Sequence, residues 1–132
     1  MLAGFKHEVN FEHEQILAPI FLAHAWLYTF ACMRLVEPLK RLALHKLHTA
    51  LLNSHIFDQR VVDVMELVRY AYDHGENRKE DGTIEDLRML VVEYIASELS
   101  TFRDHKDFVD LLEEGGEFVA DFWRIAVKEK LM

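Results

Sequence analysis

The chain has 132 residues and a formal charge of −8, from 23 acidic and 15 basic side chains, with 51% of its residues apolar. That length suits a single domain with its own core, and the composition is globular rather than disordered. The acidic field and the lack of a basic stripe speak against a nucleic-acid partner, and one cysteine cannot close an internal disulfide.

Five glycines and two prolines leave little material for the turns of an all-β fold, whereas runs of Leu, Ala, Glu and Lys favour helix. The expectation is therefore an all-α fold, a compact bundle of five to six helices. No charged leader with a cleavage site opens the chain, and the lone cysteine suits a reducing compartment, so an intracellular protein, cytoplasmic or nuclear, is expected.

In chain order, residues 1–18 read as an N-terminal arm or short helix and residues 19–132 as a single helical domain. Pro19 stands where a helix can begin, because proline is tolerated in a first turn. Beyond it Ile20, Phe21, Leu27, Tyr28 and Ala31 share one face at helical spacing, with His24 among them. The charge-free run from Gln15 to Met33 approaches membrane-spanning length. It nevertheless holds Pro19, His24 and Thr29 and a coherent stripe, and so reads as core, with no membrane partner.

The break near "RLVEP" and Pro38 open a second helix, which turns Leu39, Leu42, Ala43, Leu47 and Ala50 to one side. Asp58 is placed to cap a third helix, with Val61, Val64, Met65, Val68 and Tyr72 as its stripe. The polar stretch "DHGENRKEDG", from Asp73 to Gly82, reads as a loop. Thr83 and Asp86 then have capping-box-like spacing. The fourth helix carries the cleanest pattern in the chain: Leu87, Leu90, Val91, Tyr94, Ile95, Leu99 and Phe102. A short fifth helix with Phe108, Leu111 and Leu112 stops at Gly115-Gly116. The last, Glu117 to Lys130, offers Phe118, Val119, Phe122, Trp123, Ile125 and Ala126.

Chemistry-bearing residues are scattered. His45, His48 and His55 would share a face of the second helix opposite its leucines, which makes them solvated. His7 and His13 flank glutamates near the N-terminus. HExxH, Glu-x-x-His and Cys-x-x-Cys are all missing, so the spaced ligand sets of zinc and di-iron sites are not found. His24 reads as a core histidine and Cys32 as a small buried apolar residue. No nucleophile elbow or phosphate-binding glycine loop occurs. No catalytic, cofactor or metal residue is assigned, and the chain is expected not to be an enzyme. The alternative is a small helical metal-binding protein or enzyme using His24 or the His45/His48/His55 face.

Three stretches carry a resemblance. "HAWLYTFACMRLVEPLKRLALHKL" resembles the segment that follows the sheet in fungal BTB/POZ-domain proteins, matching at His24, Ala25, Tyr28, Ala31, Leu39, Lys40, Leu42, Ala43 and Lys46. "LRMLVVEYIASEL" and "DFVDLLEEGGEFVADFWRIAV" resemble the helices downstream in the same proteins, in the same order. The family's A-D-K-Y is replaced by Ala31-Cys32-Met33-Arg34. The strand half of a BTB domain is missing, so its dimer-forming and cullin-binding elements do not carry over to any residue of this chain. The resemblance implies a protein–protein interaction module that self-associates as a homo-oligomer. An adaptor in a ubiquitin-ligase or transcriptional complex is also implied, a cullin-type ligase by family resemblance alone. Apolar stripes orphaned by the missing sheet would form the contact surface: Ile20, Phe21, Leu27 and Tyr28 first, then Phe118, Phe122 and Trp123.

Overall fold

Proline opens each of the first two helices in the computed structural model, which describes residues 17–56, 60–74 and 79–128. Pro19 lies in the first turn of α1 (Ala18–Arg34) and Pro38 in that of α2 (Glu37–Leu52), where a missing backbone N–H costs nothing. A 3-10 turn, Asn53–Ile56, follows α2. Next come α3 (Arg60–His74), α4 (Asp86–Ser97), the single turn α5 (Leu99–Phe102), α6 (Lys106–Glu114) and α7 (Glu117–Lys128). The fold is all-α, with no strand among the described residues.

Helix ends explain the connections. α1 stops at Leu35, whose φ of 58° is left-handed. The Leu35 N–H donates to the Cys32 carbonyl and the Val36 N–H to that of Ala31, at 3.3 and 3.0 Å. This is the Schellman arrangement, with leucine where glycine is usual. At α4 the cap is neither Thr83 nor Asp86 but Glu85, a correction to the capping-box reading: one Glu85 carboxylate oxygen accepts from the N–H groups of Leu87 and Arg88 at 3.1 and 3.3 Å. Thr83 instead donates its hydroxyl to Asp81, closing the preceding turn. The helix expected to run through Phe102 divides at Glu98, which separates α5 and makes seven helices among the described residues. Ser97 there returns its hydroxyl to the Tyr94 carbonyl at 2.8 Å, a bond that loosens the helical ladder. Asp58, the expected cap of the third helix, lies outside the described residues. Gly115 joins α6 to α7 with φ 75° and ψ −155°, a region open essentially to glycine alone.

α1 packs on α2 and α3, α4 on α2, α3 and α7, and α6 on α3. Phe21, Ala25, Tyr28, Ala43, Leu47 and Leu51 fill the first part of the core, and Val64, Leu67, Val68, Leu87, Val91 and Ile95 its centre. A run of rings, Tyr94–Phe102–Phe108–Phe122–Phe118–Tyr72, carries the core through α5, α6 and α7 back to α3. Its centroids lie 5.6 to 6.2 Å apart, and all pairs meet edge-on except stacked Phe118–Phe122.

Buried polar groups tie the layers. The Leu17 N–H, at the head of α1, donates to Asp63 of α3, and the Tyr28 hydroxyl donates to the second carboxylate oxygen of Glu85. The Arg88 guanidinium reaches the Ala71 and Tyr72 carbonyls at the end of α3, each at 3.2 Å, lies 4.5 Å from the Tyr72 ring centroid, and pairs with Glu117 of α7. Tyr72 in turn donates to Asp121 at 2.6 Å. Burial first, then the bond to a carboxylate, pushes both the Tyr28 and Tyr72 phenols far above their ordinary range.

Candidate functional site

α1 is apolar on every side, and the two buried carboxylates decide which side faces in. The core takes Phe21, Ala25, Tyr28 and Ala31. The expected stripe, which centred on His24, is therefore rotated by roughly a sixth of a turn. Ile20 stays 38% exposed and Leu27 half-buried, whereas Phe21 and Tyr28 are fully enclosed. Phe21 and Tyr28 are core residues, a correction to their expected place on a contact surface. The same holds at the other end: Phe118 and Phe122 are buried in the aromatic run, and of the seven expected surface residues only Ile20 and Trp123 are well exposed. Leu42, expected inside, faces solvent because α2 turns Ala43, Leu47 and Leu51 to the core.

Rotation leaves a second stripe outside. Pro19, Ala23, Trp26, Phe30 and Met33 follow one another at steps of four and three, the 3.5-residue spacing by which one helix receives another. All but half-buried Phe30 are exposed, Trp26 at 57% and Met33 at 72%. The Trp26 and Phe30 rings stack with centroids 5.4 Å apart, and the Arg34 guanidinium covers Phe30 at 5.4 Å. The row is about 21 Å long at a rise of about 1.5 Å per residue. Leu35, just past the helix end, is almost wholly in solvent.

The stretch that holds α1 and α2 is locally basic. Residues 17–56 carry Arg34, Lys40, Arg41 and Lys46 against the single acid Glu37, a formal +3 within a chain of −8. On the other side of α1 from Trp26 and Met33, against α2, His24, Lys46, Thr49 and Ala50 line a shallow groove of about 290 Å³. His24 is half-buried there rather than fully enclosed, and burial, then the Lys46 charge, holds its pKa below the ordinary imidazole value. The Lys40 ammonium stands 5.6 Å from the Tyr28 ring centroid.

His45 and His48 are exposed. The His55 side chain, like His7 and His13, lies outside the described residues. No group of three or more His, Cys, Asp and Glu side chains converges as a metal would require, among the described residues. Cys32 is half-buried against the core. Among the described residues no helix is long and apolar enough to cross a membrane.

Trp26, Phe30, Met33 and Leu35 were not assigned from the sequence. The available signal was the absence of any polar side to the helix, which means that wherever it packs, an apolar face is left over. Comparison with protein families, with curated proteins and with solved structures finds no match to this chain.

Proposed function

We propose that this chain is a non-catalytic protein–protein interaction module that receives a partner helix along the outward face of α1. The observation that carries the reading is the exposed row Ala23, Trp26, Phe30 and Met33, set at helix-docking spacing on a helix already packed on its other sides. Leu35 supports it. A large apolar side chain held in solvent at a left-handed position, where glycine would cost less, serves contact better than it serves the fold. Trp and Phe at the centre of the row supply the large rigid area typical of interface anchors. The resemblance of the α1–α2 stretch to the helices of fungal BTB/POZ proteins points the same way, toward an adaptor.

The test is selection of displayed helical peptides on the parent chain, counted against a Trp26→Glu/Met33→Glu chain of verified circular dichroism. Helical sequences enriched on the parent and lost on the variant support the reading. Equal enrichment on both, or none on either, removes it.

A further inference from the structure

Resting on that reading, we infer that the partner helix is α1 of a second copy. The two α1 helices lie parallel about a two-fold axis that runs along them, row against row, and Arg34 of each meets the acidic α3 edge of the other.

The two edges of the row carry opposite charge. At about 100° per residue, Thr29 falls on one side of the line through Trp26, Phe30 and Met33, and Arg34 on the other. Thr29 marks the α3 edge, through the Tyr70 hydroxyl at 2.8 Å. There α3 presents exposed Glu66 and Asp73, while Arg69 of the same helix is taken up by Glu114 at 2.7 and 2.8 Å. Arg34, exposed over the Phe30 ring, is the only Lys, Arg, Asp or Glu of α1.

The same contacts set the level of each charge. α3 accompanies α1 in the same direction, with Asp63 at Leu17 and Tyr70 at Thr29. Asp73 lies about 4.5 Å beyond Tyr70 and Arg34 about 7.5 Å beyond Thr29, so acid and base stand at the same end of the row. A face with a base on one edge and acids on the other complements its own copy when the axis runs along it. An axis across the row would set acidic edge on acidic edge. The row itself holds no charge to oppose an identical row, and its 3.5-residue spacing is that by which identical helices pair. An anionic membrane would meet Glu66 and Asp73 beside the row and be repelled.

The contact is small. One helix and its two edges fall short of the roughly 20–30 residues a side of a standard interface, which makes the dimer a weak one, with a Kd of about 10–100 μM.

The experiment is sedimentation equilibrium of the full 132-residue chain, up to about 1 mM. The parent should dimerise, and its Trp26→Glu variant should stay monomeric. Arg34→Asp sets acid against acid, and Glu66→Lys/Asp73→Lys sets base against base. Each of these chains, with its fold verified by circular dichroism, should dimerise at least about tenfold more weakly than the parent. An equimolar mixture of the two restores both contacts and should recover the parent affinity to within about threefold.

A parent that stays monomeric throughout would overturn the inference, and the function above would still be decided separately by peptide selection. A dimer that Trp26→Glu leaves intact, or that the reversed chains form as readily alone as mixed, would overturn it too. A monomer that binds selected helices through Trp26 would give the face to another protein. One captured by phosphatidylserine vesicles would give it to a membrane. Each of those two results also overturns the inference.

Discussion

Glu85 is the residue whose replacement reports most about how α1 is held. It is 5% exposed, caps α4 with one oxygen and receives the Tyr28 hydroxyl with the other. Glu85→Ala removes a cap worth about 1 kcal/mol and leaves a fully buried hydroxyl without a partner, a further cost of about 2 kcal/mol. The sum, about 3 kcal/mol, is a large share of the roughly 5–15 kcal/mol that holds a domain together. In urea, with an m-value of about 1.5 kcal/mol/M, the unfolding midpoint should fall by about 2 M, followed by far-ultraviolet circular dichroism. A Tyr28→Phe background isolates the second component. With no hydroxyl to orphan, Glu85→Ala should cost only the cap, about 1 kcal/mol. The coupling of about 2 kcal/mol is what the cycle measures. An equal cost in both backgrounds would refute the assignment of Glu85 as the tie between α1 and α4.

Phe122 and Trp123 are neighbours with opposite roles: Phe122→Ala should cost about 3–5 kcal/mol because it empties the aromatic run, and Trp123→Ala, at a side chain 54% exposed, about 0.5 kcal/mol or less in the same urea titration. Leu35→Gly should stabilise by about 1 kcal/mol through relief of the left-handed backbone, read as a rise in Tm, while weakening any helix bound to α1. The raised tyrosines give a signed pH effect. Their contribution is complete below the unfolded phenol pKa of about 10 and is lost as pH rises beyond it, since the unfolded chain ionises first. Stability should therefore decline above about pH 10, less steeply in Tyr28→Phe/Tyr72→Phe, as a pH series of Tm values would show. Glu114→Gln removes the charge and one of the two bonds from Arg69, at 2.7 and 2.8 Å, yet both side chains are half exposed. A loss below about 1 kcal/mol in low salt, smaller still in high salt, is expected by thermal unfolding.

Legibility in the sequence followed how uneven each helix is. In α4 the apolar positions form one stripe, and Leu87, Val91, Tyr94 and Ile95 lie inside as their spacing predicts. The helix class and the proline starts were equally readable, because they depend on local chemistry. α1 was not readable in this sense. With apolar residues on every side, periodicity cannot select an inward face, and Asp63 and Glu85, 46 and 57 residues away, make the selection. The capping glutamate escaped notice because short polar side chains usually hold that position. The aromatic surface expected at Phe118 and Phe122 became core because α5 and α6 bring Phe102 and Phe108 against it, and no local pattern announces that meeting. The left-handed Leu35 was hidden for the same reason, since leucine gives no sign of positive φ.

Asp63 at the head of α1 and Glu85 at its middle belong to two different helices, and Thr29 adds a third contact through the Tyr70 hydroxyl at 2.8 Å. A smooth cylinder of apolar side chains could otherwise turn about its long axis with little change in buried area. These three anchors fix its azimuth. Trp26, Phe30 and Met33 consequently keep one bearing before any encounter, and a partner meets them already aligned. The ordering of that surface is then charged to folding rather than to association. Loosening the Glu85 anchor without unfolding the chain should therefore slow productive docking even though no residue that touches the partner has changed.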